Sequence, residues 1–282
     1  VTRDTTVADD YLAMVNELHR RLTLPKIKQL WLPPFRDQPD RSAEFGAIVL
    51  EDESVGLMFV LLDDTLHQIK DRFEPESLTG TAPADLAMGF QANDPARKAL
   101  ALGAINAIGQ HVIRASQLPL DTRTNSIVAF DPQVQDRIGM VGFFPPLVER
   151  LRADQVDLTV IELKPELVQK EARFEVTLDP AALQRCNKIL CTSTMLLNDS
   201  IDHMLGCCDH AEQLAVIGPS AGFLPDPLFE RNVDTVGGNQ ILDATGFIAH
   251  CEREEKWGGT ARKYCLHRDD YPGFRTLLNG LR

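Results

Sequence analysis

The chain has 282 residues, 44% of them hydrophobic and 25% charged, with 41 acidic against 29 basic side chains and a formal net charge of −12. That length suits one large domain or two modest ones. The acidic balance repels phosphate backbones and anionic headgroups, so no nucleic acid and no membrane is expected as a partner. No apolar run is long enough to span a bilayer, and Val1 to Asp10 lacks the basic and apolar regions of a signal peptide. A cytoplasmic location is the default expectation, with the six cysteines mostly reduced.

Asp4 to Leu22 places Val7, Tyr11, Met14, Val15 and Leu18 at helical spacing, and Pro25 ends the run. Lys28 to Leu32 reads as a short strand. Phe45–Leu50 and Val55–Leu62, separated by the polar turn Glu51-Asp52-Glu53-Ser54, read as a β-hairpin. The three acids are expected as a solvated turn rather than a metal site. Leu66 to Phe73 suits a short helix, and Glu74 to Ala84 a loop. Pro95 opens a long, weakly amphipathic and therefore buried helix over Ala96–Ser116, where Gly103 and Gly109 allow close packing. The first half is thus a small α+β unit.

From Ile138 the pattern changes. Strands are predicted at Ile138–Phe144, Leu158–Leu163, Lys188–Thr192, Leu214–Gly218 and Asn232–Val236. Helices are predicted at Pro146–Arg152, Pro180–Cys186, Leu196–Leu205, Asp226–Arg231 and Ile241–Cys251. Repeated strand–helix units indicate an α/β fold with a doubly wound, mostly parallel, Rossmann-like sheet. The join falls near Leu118–Asn125, giving a division into 1–120 and 121–282. The charged tail from Glu252, with Trp257-Gly258-Gly259 inside it, could cap the cleft or mediate a dimer contact.

Open parallel sheets bind ligands at the carboxyl ends of their strands, near the switch point in strand order. Four loops fall there. In the first, Gly139 and Gly142 permit close backbone approach, and Pro146 opens a helix whose N-terminus attracts anions. The run Gly139-Met140-Val141-Gly142-Phe143-Phe144 lacks the third glycine of a dinucleotide fingerprint, and its rings occupy the pyrophosphate's space. Glu162 ends the second strand twenty residues after Gly142, where an acid can bind ligand hydroxyls or simply face water. Thr192-Ser193-Thr194, with Asn198 beyond, offers three hydroxyls where ordinary capping needs one. Gly218-Pro219-Ser220-Ala221-Gly222 matches G-x-S-x-G, but Pro225 and Pro227 argue for a loop rather than a nucleophile elbow, so a backbone cradle is the better reading.

His203 and Cys207 share a helix face, and Cys208, Asp209 and His210 follow. These types bind transition metals, the cofactor class left open here, yet no C-x-x-C spacing fixes a site. Buried cysteine is more often a small hydrophobe. Cys191 fits a ligand contact or the core equally.

Several segments in order resemble the putative heavy-metal-chelation family, a domain of unknown function. They are Gly139 through Leu147 (GMVGFFPPL), Thr194 through Asp202 (TMLLNDSID), Gly218-Pro219-Ser220, Pro225 to Phe229 and Val233 to Gly238. Upstream, Phe45–Leu50, Gly56–Leu62 and Ala101 to Ala107 continue the likeness, which spans about residues 40 to 250. The resemblance implies an N-terminal domain like the small capping domain of enolases, a Rossmann-like C-terminal domain, and a cleft between them that Asn106 enters. Cys186, Cys191, Cys207, Cys208 and the Cys265 tail depart from the pattern, which leaves thiolate chelation as a specialisation.

The resulting expectation is a protein that binds a small metal-bearing or anionic metabolite between its domains. The alternative is a lyase or transferase acting on a small polar metabolite in metallophore or cofactor biosynthesis, with Glu162 as general base. A third reading is an interaction module with a vestigial cleft.

Overall fold

The computed structural model describes residues 4–35, 44–124 and 131–281. The first helix, α1, covers Val7–Arg21. Thr6 caps it reciprocally: its hydroxyl accepts from Asp9 N at 3.1 Å while the Asp9 carboxylate accepts from Thr6 N at 2.8 Å. Its buried face is Val7, Tyr11, Met14, Val15 and Leu18, the five residues that the spacing selects.

Strands β1 (Ile27–Trp31), β2 (Phe45–Leu50) and β3 (Val55–Phe59) form a three-stranded antiparallel sheet in that order. In the turn between β2 and β3, the Asp52 carboxylate accepts from Ser54 N and Oγ and lies 2.8 Å from His111 Nδ1, Glu51 accepts from Lys26 N and Glu53 pairs with Lys28, so all three turn acids are tied to the protein. Helices α2 (Thr65–Arg72) and α3 (Pro83–Ala87) lead to α4 (Pro95–Ala115). The segment expected as loop after α2 contains a 3-10 turn at Pro75–Leu78 as well as the start of α3.

Helix α4 is buried almost all round, which its low amphipathicity anticipates. One side lies against β2 and β3 and the other against the Gly222–Leu224 backbone. A Cβ on Gly109 would sit 2.7 Å from Gly222 O, so the absent side chain sets that approach.

The second sheet has eight strands in the order β11-β10-β9-β8-β4-β5-β7-β6. They are β4 (Arg137–Val141), β5 (Asp157–Ile161), β6 (Gln169–Lys170), β7 (Phe174–Thr177), β8 (Lys188–Thr192), β9 (Gln213–Ile217), β10 (Thr235–Ile241) and β11 (Ala261–His267). Six of them are parallel, ordered β7-β5-β4-β8-β9-β10, with β6 and β11 antiparallel at the edges. The order of winding therefore reverses between β4 and β8, as in a Rossmann sheet. Helices α5 (Pro145–Ala153), α6 (Ile201–Cys207), α7 (Asp226–Phe229), α8 (Ala244–Glu252) and α9 (Phe274–Gly280) complete the chain.

Two sequence expectations need correction, and two further elements lay outside the sequence reading. The β6–β7 hairpin, between Leu163 and Asp179, was not foreseen: Phe174 and Val176 alternate with Glu175 and Thr177, but over only four residues. The helix expected over Leu196–Leu205 is a 3-10 turn at Ser193–Leu196 followed by α6, interrupted at Asp199 with φ +57°. Strand β10 begins three residues later than expected and runs through the polar pair Asn239–Gln240, because its hydrogen bonds come from β11 in the tail. The tail itself is structured as β11 and α9.

One apolar cluster runs from α1 through α4 to Val216, Phe223, Tyr264 and Leu278, so the small and large sheets share a core. Asp121, at the expected join, exchanges backbone hydrogen bonds with Cys265 in β11. Helix α9 returns to α1, where Arg275 pairs with Glu17 at 3.1 Å and Arg21 donates to Asn279 at 2.7 Å.

Candidate functional site

The carboxyl ends of β4, β5, β8 and β9 open onto a cleft of about 790 Å³, within the range of small-molecule sites. Gly142 and Phe143 line it after β4, Glu162 after β5, Thr192, Ser193 and Thr194 after β8, and Gly218, Pro219 and Ser220 after β9. The opposite wall comes from the small sheet, through Glu44, Phe45, Phe59 and Leu62.

The loop glycines are set by contact. Gly142 has φ +87° and a Cβ there would meet Thr192 Cγ2 at 2.9 Å; on Gly218 it would meet Ser193 Oγ at 2.3 Å. The loops after β4, β8 and β9 are thereby pressed together at the switch point. The three hydroxyls after β8 are all engaged. Thr192 Oγ1 caps the 3-10 turn, accepting from Thr194 N at 3.3 Å, and lies 3.0 Å from Thr194 Oγ1. Ser193 Oγ lies 3.0 Å from Ser220 Oγ, with both serines buried. Ser220 is followed by loop and not by helix, and its hydroxyl partner is Ser193, so the G-x-S-x-G run lacks the strand–turn–helix geometry of a nucleophile elbow.

Glu162 ties two loops. One carboxylate oxygen accepts from Phe143 N at 2.9 Å and the other from Leu163 N at 3.0 Å. Both oxygens of this cleft-lining carboxylate are thereby held by backbone N–H groups.

The expected anion site at the start of α5 is not built. Pro145 and Pro146 carry no N–H, and Leu147 N and Val148 N both donate to Phe144 O at 2.9 Å. With Phe143 and Phe144 along the same wall, the donors that cradle a pyrophosphate in dinucleotide-binding folds are absent at this helix end.

Two residues expected in the cleft lie outside its lining. Asn106 is wholly buried in α4, donating through Nδ2 to Leu57 O at 2.7 Å and Ser220 O at 2.8 Å. It joins the small sheet to the loop after β9 and touches that loop from behind. Asn198 Oδ1 accepts from Ser200 N and Oγ at the approach to α6. Its neighbour Asp199 pairs with Lys98 of α4.

The metal candidates are not brought together. His203 is exposed, Cys207 half-buried and Cys208 buried. Cys208 lies against Cys191 in the core, where the hydrogen bond between the two thiols, with burial adding to it, pushes Cys191 well above the ordinary thiol range. Among the described residues no group of three or more His, Cys, Asp or Glu side chains is placed to hold a metal ion.

Sequence reasoning missed one wall of the cleft. Gly237, Gly238 and Asn239 of β10, with Trp257, Lys263, Tyr264 and Cys265 of the tail, line it. Among the described residues Lys263 is its one basic side chain, against Glu44 and Glu162. Tyr264 OH donates to Ala221 O at 3.2 Å and accepts from Gln110 Nε2 at 3.0 Å, and burial raises the phenol above its usual range. The Cys265 thiol donates to Thr124 O at 3.6 Å, and burial lifts it to about 11. The signal for this wall was the tail's Tyr264-Cys265-Leu266 run, readable as a strand only once its partner was known.

The family model described as "Putative heavy-metal chelation" (DUF364) matches residues 126–265. An uncharacterized protein of Methanocaldococcus jannaschii is 23% identical over 177 residues, 61% of this chain and 67% of that relative. Two solved structures of unknown function from the same family share the fold, both with a TM-score of 0.70 and 93% of this chain covered. The one from Pyrococcus horikoshii is 14% identical and covered over its whole length; the one from Desulfitobacterium hafniense is 19% identical and covered over 98%. Through residues 126–265, the part that carries the switch-point loops, the chain belongs to the DUF364 family, described as putative heavy-metal chelation.

Proposed function

We propose that the cleft binds a small organic metabolite, and that any heavy metal handled here arrives already coordinated by that metabolite. The observation carrying this reading is the make-up of the cleft wall. It combines rings and hydroxyls, Phe45, Phe59, Phe143, Phe144 and Trp257 beside Thr192, Ser193, Thr194 and Ser220, with few ionised groups. Aromatic and apolar surface with a few fixed polar groups is the usual lining for organic ligands.

The donor set does not fit a bare soft ion. Thiolate and imidazole are its preferred ligands. Among the described residues the cleft offers one thiol, Cys265, held protonated and donating to a carbonyl, and two carboxylates, of which Glu162 is occupied by backbone N–H groups. No histidine lines it. A chelate would instead present an organic exterior, which rings and hydroxyls suit.

The test is a titration of the purified chain with Zn²⁺ and Ni²⁺ in competition with a chromophoric chelator. The expected result is no cleft-dependent binding tighter than micromolar. Stoichiometric tight binding lost in Cys265→Ser or Glu162→Gln would overturn the reading.

A further inference from the structure

A second cavity, of about 370 Å³, lies between the C-terminal end of α4 and the β10–β11 ladder, away from the switch-point loops. We infer that it is a binding site for a small amphipathic anion, an alkyl or aryl carboxylate with a short apolar body.

Its polar groups are two arginines and two glutamines: Arg114, Arg262, Gln117 and Gln240. The rest of the wall is aliphatic, including Ile113 and Ile241, and among the described residues no carboxylate lines it. Arg114 donates only to a backbone carbonyl, that of Asp52, and Arg262 to Gln240 Oε1 at 2.6 Å. Among the described residues neither guanidinium pairs with a carboxylate, whereas Arg72, Arg152, Arg231 and Arg268 all do. In a chain of net charge −12, two cations without counter-charges on one small cavity stand out. Each guanidinium has five donors in a planar fork, so most remain for an oxyanion.

The negative end of α4 would oppose an anion here if its last carbonyls were bare. Three of the last four are not: Val112 O accepts from Ser116 N and Oγ, Ile113 O from Leu118 N, and Arg114 O from Gln117 N. The aliphatic wall then decides between an inorganic ion and an amphipathic one, because a bare phosphate would leave it in contact with water.

The ladder also explains why this site is separate from the cleft. Asn239 pairs with Lys263, and both line the cleft; the next pair, Gln240 with Arg262, lines the second cavity. The division falls along the length of the ladder: Gly237 to Asn239 with Lys263 to Cys265 line the cleft, and Gln240 to Leu242 with Arg262 line the second cavity.

Calorimetric titration of the full chain with hexanoate at low salt tests the proposal, with hexanol and inorganic phosphate as comparison probes. Hexanoate is expected to saturate at one equivalent, at least tenfold tighter than either comparison probe. Arg114→Gln and Arg262→Gln, both at exposed positions, should each weaken it tenfold or more, and Arg262→Lys should fall between. Gly218→Ala, in the cleft, should leave it unchanged. Absence of saturation, equal binding by phosphate or hexanol, unchanged affinity in both arginine variants, or loss in Gly218→Ala would each overturn the assignment.

Discussion

Asn106 is where the small sheet, α4 and the cleft meet, and its removal tests whether the two sheets are one cooperative structure. Its Nδ2 donates two buried hydrogen bonds, to Leu57 O in β3 and Ser220 O in the loop after β9. In Asn106→Ala both carbonyls lose their donor. Each unsatisfied buried acceptor costs about 1–3 kcal/mol, hence about 2–6 kcal/mol together. Against this, Asn106 Oδ1 is itself buried without a partner, and deleting it recovers about 1–2 kcal/mol. The net expectation is a loss of about 1–4 kcal/mol, or about 2–8 °C in Tm at the roughly 2 °C per kcal/mol expected for a chain of this size. Urea unfolding followed by both tryptophan fluorescence and circular dichroism is the assay, with Trp31 in β1 of the small sheet and Trp257 in the 3-10 turn that precedes β11. Asn106→Asp should be at least as damaging at neutral pH, since a carboxylate has no N–H to offer, and should recover in part on acidification, when a protonated acid can donate once. A loss below about 0.5 kcal/mol for Asn106→Ala would refute the idea that this side chain holds the loop to the small sheet.

In Gly218→Ala the new methyl must displace Ser193 Oγ, so the Ser193–Ser220 pair breaks at an overpacking cost of about 1–3 kcal/mol, measurable by denaturant midpoint, and cleft binding falls. Asp121 is held below the ordinary carboxylate range by hydrogen bonds from Thr124, with Arg123 N and His267 adding to them. A depressed carboxylate contributes stability above its unfolded pKa and loses it as pH falls toward the folded value. Asp121→Asn should therefore lower stability near neutrality and flatten its fall below about pH 4 in an acid titration. Thiol labelling at pH 8 should modify Cys207 first, the one cysteine of six that is not buried. Cys265, raised to about 11, is roughly one part in a thousand thiolate at that pH and should react only after unfolding.

Elements that declare themselves locally were readable from the sequence. The α1 face follows from five apolar residues at helical spacing, and α4 from its run of small and aliphatic residues behind Pro95. The glycine and hydroxyl loops after β4, β8 and β9 pointed to the cleft because parallel strands end in such loops. What the sequence hid depends on distant pairing. Strand β10 carries Asn239 and Gln240 in its interior and looks like a loop until β11 supplies its hydrogen bonds. The tail wall, Trp257 and Lys263 to Cys265, was invisible for the same reason. Asn106 and Asn198 were of the right type for ligand contact, but no local pattern says whether a buried amide faces a ligand or a carbonyl. The cysteine and histidine cluster failed on geometry: proximity in sequence put His203 in solvent and Cys208 in the core.

The most direct test of an organic occupant is to purify the chain without chelators, denature it, and analyse the released fraction by mass spectrometry alongside elemental analysis of the same sample. The prediction is a small organic molecule in near-stoichiometric amount, with any metal in fixed ratio to it and both lost together in Gly218→Ala. A stoichiometric metal released with no organic partner and retained in Gly218→Ala would contradict it.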